Sequence, residues 1–251
     1  MSSIAISSIA FACVFGGALF GMLLSAALPQ HHLSAESKDV VKLGSGLVAT
    51  MGALVLGLLV ASAKSSYDAQ STELTEMSAK VVVLDRVLAH YGPESKEARD
   101  LLRSSVTRIL DQMWHKHPRN SSQSEPSSSG AEGLFDKIQG LSPKDDAQGT
   151  LKAQALNIAM GLGQTRWLMY EQGATTVSMP LLIVLVFWLT ALFVSFGLFA
   201  PRNGTVVGSL FIAALSVSGA IFLILEMYTP YAGLIQISSA PLRAALAHLG
   251  E

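Results

Sequence analysis

Four long runs without a charged residue are the feature that most constrains this chain. The first charged residue is Glu36, and further uncharged runs extend from Leu43 to Ala63, from Gln172 to Pro201 and from Asn203 to Leu225. About 20 apolar helical residues cover the ~30 Å hydrocarbon core of a bilayer at about 1.5 Å per residue. The sequence therefore predicts an all-α, polytopic membrane protein with four transmembrane helices.

The spans are predicted at Ile4 to Leu28, Leu43 to Ala63, Met179 to Ala200 and Val206 to Tyr228. They form two pairs, in regions 1–63 and 174–228. The first run has no basic segment before it and exceeds the about 7 to 15 apolar residues of a signal peptide. We therefore interpret it as a retained span.

The composition excludes several classes of function. Charged residues make up 14% of the chain and the formal net charge is -1, so no basic field is available to attract nucleic acid. The single cysteine, Cys13, can form neither an internal disulfide nor a thiolate metal site. Glycine-rich phosphate loops, HExxH and GxSxG are absent from the sequence. We expect no enzyme, no cofactor and no metal.

A polar segment at 64–173 is predicted to be the single extramembrane domain. No glycine or proline interrupts the chain from Lys64 to Gly92, and apolar residues there repeat with a spacing of three and four. These residues are Leu74, Met77, Val81, Leu84 and Leu88. The coiled-coil-like stripe predicts that the second span continues into a long helix ending at Tyr91, a rigid stalk in a helical bundle.

Two further segments have compositions of their own. Residues near 118–131 include NSSQSEPSSSG, which has almost no apolar content and is expected to be a disordered linker. The tail at 229–251 contains Pro230 and Pro241, so it is too interrupted to span a membrane. We expect an interfacial or domain-packed tail.

The orientation in the membrane depends on few charges. Four spans place both termini on the same side as the domain. The positive-inside rule favours neither orientation, because each side has three basic residues near the membrane. They are Lys64, Arg166 and Arg243 on the domain side, and Lys38, Lys42 and Arg202 on the other. We expect a cytoplasmic domain in a bacterial inner membrane, because neither a cleavable signal nor paired cysteines are found.

Span two is unusual because small residues follow one helical face. Two interpretations stay open: close helix packing through small side chains, or the lining of a pore in an oligomer. In the pore interpretation, side-chain hydroxyls face the ions and a lysine lies at each end of the pore. The candidate pore-lining residues are Lys42, Ser45, Gly46, Thr50, Ala53, Gly57, Ala61 and Lys64.

Glu226, near the end of span four, is the acidic residue closest to the membrane interior. An ionisable group at that depth is expensive unless it has a partner or a function. Structural pairing and an ion or proton site are both open for Glu226.

Several stretches carry a family resemblance: LPQHHLSAESKDVVKLGSGLVATMGALVLGLLVASAKSSYD, VLDRVLAHYGPE, TRWLMYEQ, FGLFAPRNGT and ILEMYTPYAGLIQISSAPLRAAL. With them the chain resembles the bacterial bestrophin-like domain family. Bestrophins are pentameric anion channels with helical cytosolic domains and a pore lined by the second transmembrane helix. The resemblance therefore implies a homo-pentamer in membrane lipid that conducts small ions.

The sequence also departs from a bestrophin. Span two has no aromatic residue that could form a bulky hydrophobic neck, and no acidic cluster resembles the calcium clasp. Calcium gating and chloride selectivity are therefore not implied.

The leading hypothesis is a homo-oligomeric ion channel of the bacterial inner membrane, with span two lining the pore and anions as the favoured ions. One alternative is a motor or scaffold component that acts with a partner subunit, on analogy of topology. Another is a structural membrane protein without conductance.

Overall fold

The computed structural model describes residues 2–29, 35–114, 128–173 and 178–250, and these form helices joined by loops with no strand among them. The all-helical fold class is confirmed. The helices are α1 (Ser3–Ala27), α2 (Ala35–Tyr91), α3 (Lys96–Trp114), α4 (Ser128–Gln139), α5 (Asp146–Gly173), α6 (Met179–Phe199), α7 (Gly204–Met227) and α8 (Ala240–His248).

The chain divides into two compact units. The membrane unit comprises Met1–Ser65 and Thr176–Tyr228, and the polar unit comprises Ser66–Thr175 and Thr229–Glu251. Helix α2 contributes its first part to the membrane unit and its second part to the polar unit. Four helices are long and apolar enough to cross a membrane, namely α1, α2, α6 and α7. This confirms the four predicted spans.

Helix α2 begins earlier than its span was predicted to begin. It starts at Ala35 rather than at Leu43, so Lys38, Asp39 and Lys42 belong to its first turns. Long basic side chains can reach the membrane surface from a helix end, and a charged turn therefore extends a spanning helix without entering the hydrocarbon. The segment between the first two predicted spans, 29–42, is thus helical from Ala35 onward.

The closest helix contact in the membrane unit joins α1 to α6 through glycines. A Cβ atom built on Gly21 would lie 2.1 Å from the carbonyl oxygen of Val194, and one on Gly197 would lie 2.0 Å from that of Ala18. No side chain fits at such distances, so the two backbones touch. This is the small-residue packing typical of helices in membranes.

Helix α7 packs against α1 through aromatic rings. The Phe211 ring stands edge-on to Phe11 and Phe15, with centroid distances of 5.5 and 5.4 Å. The first turn of α7 is capped by Asn203, whose side-chain oxygen accepts the backbone N–H of Val206 at 2.9 Å. Helix α1 therefore contacts both α6 and α7 in the membrane unit.

The polar unit buries the apolar stripe of α2 in its own core. None of the five stripe residues from Leu74 to Leu88 is more than 3% exposed, and they share one cluster with buried residues of α3, α4, α5 and α8. Helix α2 ends at Tyr91, as the sequence predicts. The stripe is therefore covered by helices of the same chain rather than left for a second copy.

A tight turn follows α2. Gly92 has a φ of 125°, which disfavours any residue with a side chain, and Pro93–Ser95 form one 3₁₀ turn before α3. The Ser95 hydroxyl donates to the carbonyl of Leu88 and fixes the reversal. Helix α3 is thereby turned back along α2.

The tail packs within the polar unit. Leu242, Ala245 and Leu249 are buried in its core, and the Trp114 indole N–H donates to the carbonyl of Ile237 at 3.1 Å. The tail therefore contributes to the core of the polar unit. The Ser-rich linker near 118–131 lies mostly outside the described residues, which resume with α4 at Ser128.

Candidate functional site

The membrane part of α2 has one packed side. Leu59 and Ala63 are buried there against Leu185 of α6 and Ile224 of α7. The Ser62 hydroxyl also lies 3.1 Å from the Tyr228 hydroxyl, within hydrogen-bonding distance. Helix α2 is therefore held to the membrane unit along a single face.

The opposite side of α2 is open in the single chain. Most of the candidate pore-lining residues lie on it, and all of these are exposed: Lys42, Gly46, Thr50, Ala53, Gly57, Ala61 and Lys64. A Cβ atom built on Gly46 or Gly57 would meet nothing within 4 Å. Within one chain, close packing is thus made by the glycines of α1 and α6 and not by the small residues of this open face.

Thr50 is a polar group on the open face, about a third of the way from Lys42 to Lys64. Its hydroxyl donates to the carbonyl of Gly46, one turn earlier, at 2.9 Å. The proton is thereby directed at the helix, and the oxygen lone pairs face outward. In this rotamer Thr50 can accept a hydrogen bond from water but cannot donate one to an anion.

Two lysines mark the ends of the open face. Lys42 and Lys64 are separated along α2 by about 33 Å at 1.5 Å per residue, close to the ~30 Å hydrocarbon thickness. The Lys42 ammonium lies 4.0 Å from a carboxylate oxygen of Asp39, and both side chains are largely exposed. Such an exposed pair is weak, so Lys42 keeps most of its effect as a positive charge.

Ser45 differs from the other candidates in its burial, and it shares a cavity with two of them, Lys42 and Gly46. It is half-buried and lines a cavity of about 390 Å³ between α2 and the last turns of α6. Other walls of the cavity are Val41, Ala49, Ser195, Phe196 and Phe199. The sequence analysis did not predict this cavity, because its two walls are far apart in the chain and their pairing leaves no periodic signal.

Glu226 is buried in the membrane unit and is 5% exposed. It belongs to the packed residues at the end of α7, where its own carbonyl accepts the backbone N–H of Tyr228. Glu226 also makes a polar or electrostatic interaction with a neighbour. It does not lie on α2, so the structure does not add it to the open face.

The polar unit contains a buried ion pair that sequence reasoning missed. The Arg99 guanidinium donates to both carboxylate oxygens of Asp85, at 2.7 and 2.9 Å, and the backbone N–H of Gly250 donates to one of them at 3.3 Å. One signal was available: Asp85 lies four residues after Val81 and so falls on the apolar face of α2.

The charge of Asp85 depends on these donors. Burial alone would raise the pKa of its carboxyl, but the hydrogen bonds from Arg99 and Gly250 outweigh burial and lower the pKa below its ordinary value. The same contact raises the pKa of Arg99. Asp85 and Arg99 form a fixed structural pair that joins α2, α3 and the tail.

Comparison with known proteins identifies the family. A bestrophin-like domain model matches residues 12–242. The chain belongs to the bestrophin-like family. The resemblance found in the sequence motifs is thereby confirmed, and with it a membrane protein with four spanning helices.

Solved structures carry the same fold. Two crystal structures of a bacterial bestrophin homologue from Klebsiella pneumoniae, one with a tyrosine-to-alanine and one with a leucine-to-threonine substitution, match this bestrophin-like chain with a TM-score of 0.64 each. Each match covers 94% of this chain and 97% of the other at 14% identity. No curated protein matches. At that identity the likeness establishes the fold alone.

Metal ligands are not grouped in the described part of this bestrophin-like chain. Within residues 2–29, 35–114, 128–173 and 178–250, no cluster of three or more His, Cys, Asp or Glu side chains could hold an ion. The open face of α2 is therefore the feature on which a functional proposal rests.

Proposed function

We propose that this bestrophin-like protein is a homo-oligomeric ion channel of the bacterial inner membrane, with the open face of α2 lining the pore. The observation that carries the proposal is that exposed face, which runs between Lys42 and Lys64 while the other side of α2 is packed. The small residues and the Thr50 hydroxyl suit a water-filled path. The exposed leucines beside them, Leu47, Leu54 and Leu58, would contact neighbouring helices or lipid at the edge of that path.

The proposed assembly is a pentamer, as the family resemblance implies. In it the α2 helices surround a central axis and turn their open faces toward it. Gly46, Ala53 and Gly57 would then leave width for ions, and five Thr50 residues would form one polar ring, about 12 Å from the Lys42 end of the face and about 21 Å from the Lys64 end. The helices α1, α6 and α7 would surround this central ring.

We propose anions as the permeant ions. A ring of Lys64 would raise the local anion concentration at one mouth, and Lys42, which borders the cavity beside α6 at the edge of the open face, would contribute at the other. The weak pairing with Asp39 reduces this effect at the Lys42 end. Thr50 contributes no selectivity for anions while its proton is bonded to Gly46, because an anion needs a donor.

We further propose that the polar unit is cytoplasmic and that Glu226 has a supporting role. A carboxyl buried among packed residues of α7 favours structural pairing over ion conduction. The single cysteine, which leaves no pair for a disulfide, supports the cytoplasm.

Cysteine accessibility tests the pore assignment. Thr50→Cys is made in a Cys13→Ser background, and the protein in liposomes is treated with a charged, membrane-impermeant thiol reagent. We expect rapid modification, because a pore-facing thiol is in contact with water. Ser216→Cys is the matched control, since Ser216 is an exposed position of α7 that would face lipid and stay unmodified.

An unmodified Thr50→Cys in a folded oligomer would overturn the pore assignment. Equal modification of Thr50→Cys and Ser216→Cys would also overturn the pore assignment, because the position on α7 would then be in contact with water as much as the open face of α2. Copurification with a second subunit, without ion flux, would favour the motor or scaffold alternative. A closed oligomer without flux would favour the structural alternative.

A further inference from the structure

The cavity between α2 and α6 combines apolar walls with basic groups at one end. Its volume is about 390 Å³, within the range of about 300 to 1,000 Å³ common for small-molecule pockets. Lys38 and Lys42, one turn apart, line it together with Ser45. The cavity therefore offers an amphipathic environment.

The apolar part of the cavity lies deeper along α2. From Lys38 to Ala49 the lining covers about 16 Å at 1.5 Å per residue, and it passes from charged to apolar in that direction. The opposite wall includes Phe196 and Phe199. The Phe196 ring is 48% exposed, so the cavity opens on an apolar outer surface.

The polar groups in the cavity are suited to an anion. Among the described charges in the first turns of α2, Lys38 and Lys42 are opposed by Asp39, whose carboxylate is 4.0 Å from Lys42. The Ser195 hydroxyl donates to the carbonyl of Ala191 and retains an acceptor oxygen. Lys38 and Lys42, which both line the cavity, can therefore donate to a ligand phosphate.

We propose that this cavity binds an anionic phospholipid, with the phosphate at Lys38 and Lys42 and one acyl chain between Val41, Ala49 and the two phenylalanines. The lining of the cavity passes from basic to apolar side chains, and a phospholipid passes in the same direction from its charged headgroup to its acyl chains. A soluble anion would leave the apolar part unfilled. A lipid without net negative charge would not neutralise the two lysines, which Asp39 offsets only at 4.0 Å from Lys42.

The test uses the full chain in detergent and native mass spectrometry. Phosphatidylglycerol and phosphatidylcholine with identical acyl chains are titrated separately, and inorganic phosphate is added as a competitor. We expect phosphatidylglycerol to bind more tightly than phosphatidylcholine and to resist millimolar phosphate.

Two variants probe the two parts of the site. Lys38→Gln with Lys42→Gln should weaken phosphatidylglycerol binding by about 5-fold for each lysine, or about 30-fold together. Ala49→Phe should reduce binding of both lipids, because the new ring occupies the acyl region. Lys64→Gln at the other end of α2 and Ile183→Phe on the exposed surface of α6 are the controls and should bind as the wild type does.

Each other outcome overturns the proposal. Equal binding of the two lipids, or binding unchanged in the double lysine variant, would remove the headgroup site. If Ala49→Phe left lipid binding unchanged, the lipid phosphate would be bound at the surface and the acyl chain would not enter the cavity. Displacement by inorganic phosphate would indicate a site for a free anion. A change of oligomeric mass in Ala49→Phe, with lipid binding intact, would mean that a second copy fills the cavity.

Discussion

Removing Arg99 should destabilise the polar unit strongly, because it isolates a buried carboxylate. The Asp85 side chain is 3% exposed and receives two hydrogen bonds from Arg99. In Arg99→Gln the carboxylate would keep the Gly250 N–H at 3.3 Å as its remaining donor among these contacts. Breaking a buried pair by removing one partner costs about 3 to 5 kcal/mol.

The lower end of that range applies here. The Arg99 side chain is 23% exposed, so water can reach the edge of the pair after the substitution. A loss of about 3 kcal/mol corresponds to a fall in melting temperature of ~10 °C for a unit of this size. The assay is thermal unfolding of the full chain in detergent, followed by tryptophan fluorescence in a Trp167→Phe, Trp188→Phe background that leaves Trp114 of the polar unit as the reporter.

An exposed pair of the same length is the matched control. The Lys137 ammonium lies 2.7 Å from a Glu97 carboxylate oxygen, the distance found between Arg99 and Asp85, but both of these side chains are largely exposed. Lys137→Gln should therefore leave the melting temperature near that of the wild type. Equal effects of Lys137→Gln and Arg99→Gln would refute the role assigned to burial.

The pH dependence gives an independent check. The lowered pKa of Asp85 contributes stability above the ordinary Asp pKa of about 3.9, and this contribution is lost as the pH falls through the folded-state value. In Arg99→Gln the buried carboxyl should take up a proton at higher pH than in the wild type, which relieves its penalty. The difference in melting temperature should therefore narrow on acidification, and a gap independent of pH would contradict this account.

Two further substitutions test the packing of each unit. Gly197→Ala should prevent native packing of α1 on α6, because the new Cβ would lie 2.0 Å from the Ala18 carbonyl oxygen, whereas Gly208→Ala meets open space and should leave the yield of folded protein unchanged. Leu242→Ala should lower the free energy of unfolding by about 2 to 5 kcal/mol, since Leu242 of the tail is fully buried in the core of the polar unit. The exposed Leu234→Ala is its control in thermal unfolding, and equal effects would contradict tail packing.

The spanning helices could be predicted because their signal is local. Length and apolarity identify a span without any knowledge of its neighbours, and the glycine and proline after Tyr91 mark the end of α2. The start of α2 at Ala35 was missed because Lys38 and Lys42 were interpreted as loop residues. Charge marks the edge of the hydrocarbon and does not mark the end of a helix.

Packing partners could not be predicted from the same signals. The stripe from Leu74 to Leu88 has the spacing of a coiled coil, but that spacing also suits burial under helices of the same chain. Small residues lie along both α1 and α2, and the sequence alone does not indicate which of the two sets contacts the backbone of another helix. The structure gives close contact to Gly21 and Gly197 and leaves Gly46 open.

Ion flux through the reconstituted protein tests the central claim most directly. The purified oligomer is placed in a bilayer under opposed chloride and potassium gradients, and the reversal potential is recorded. The account predicts a current that reverses near the chloride potential and is blocked by thiol modification of Thr50→Cys. A folded oligomer that carries no current, or a current that modification of Thr50→Cys leaves unchanged, would contradict it.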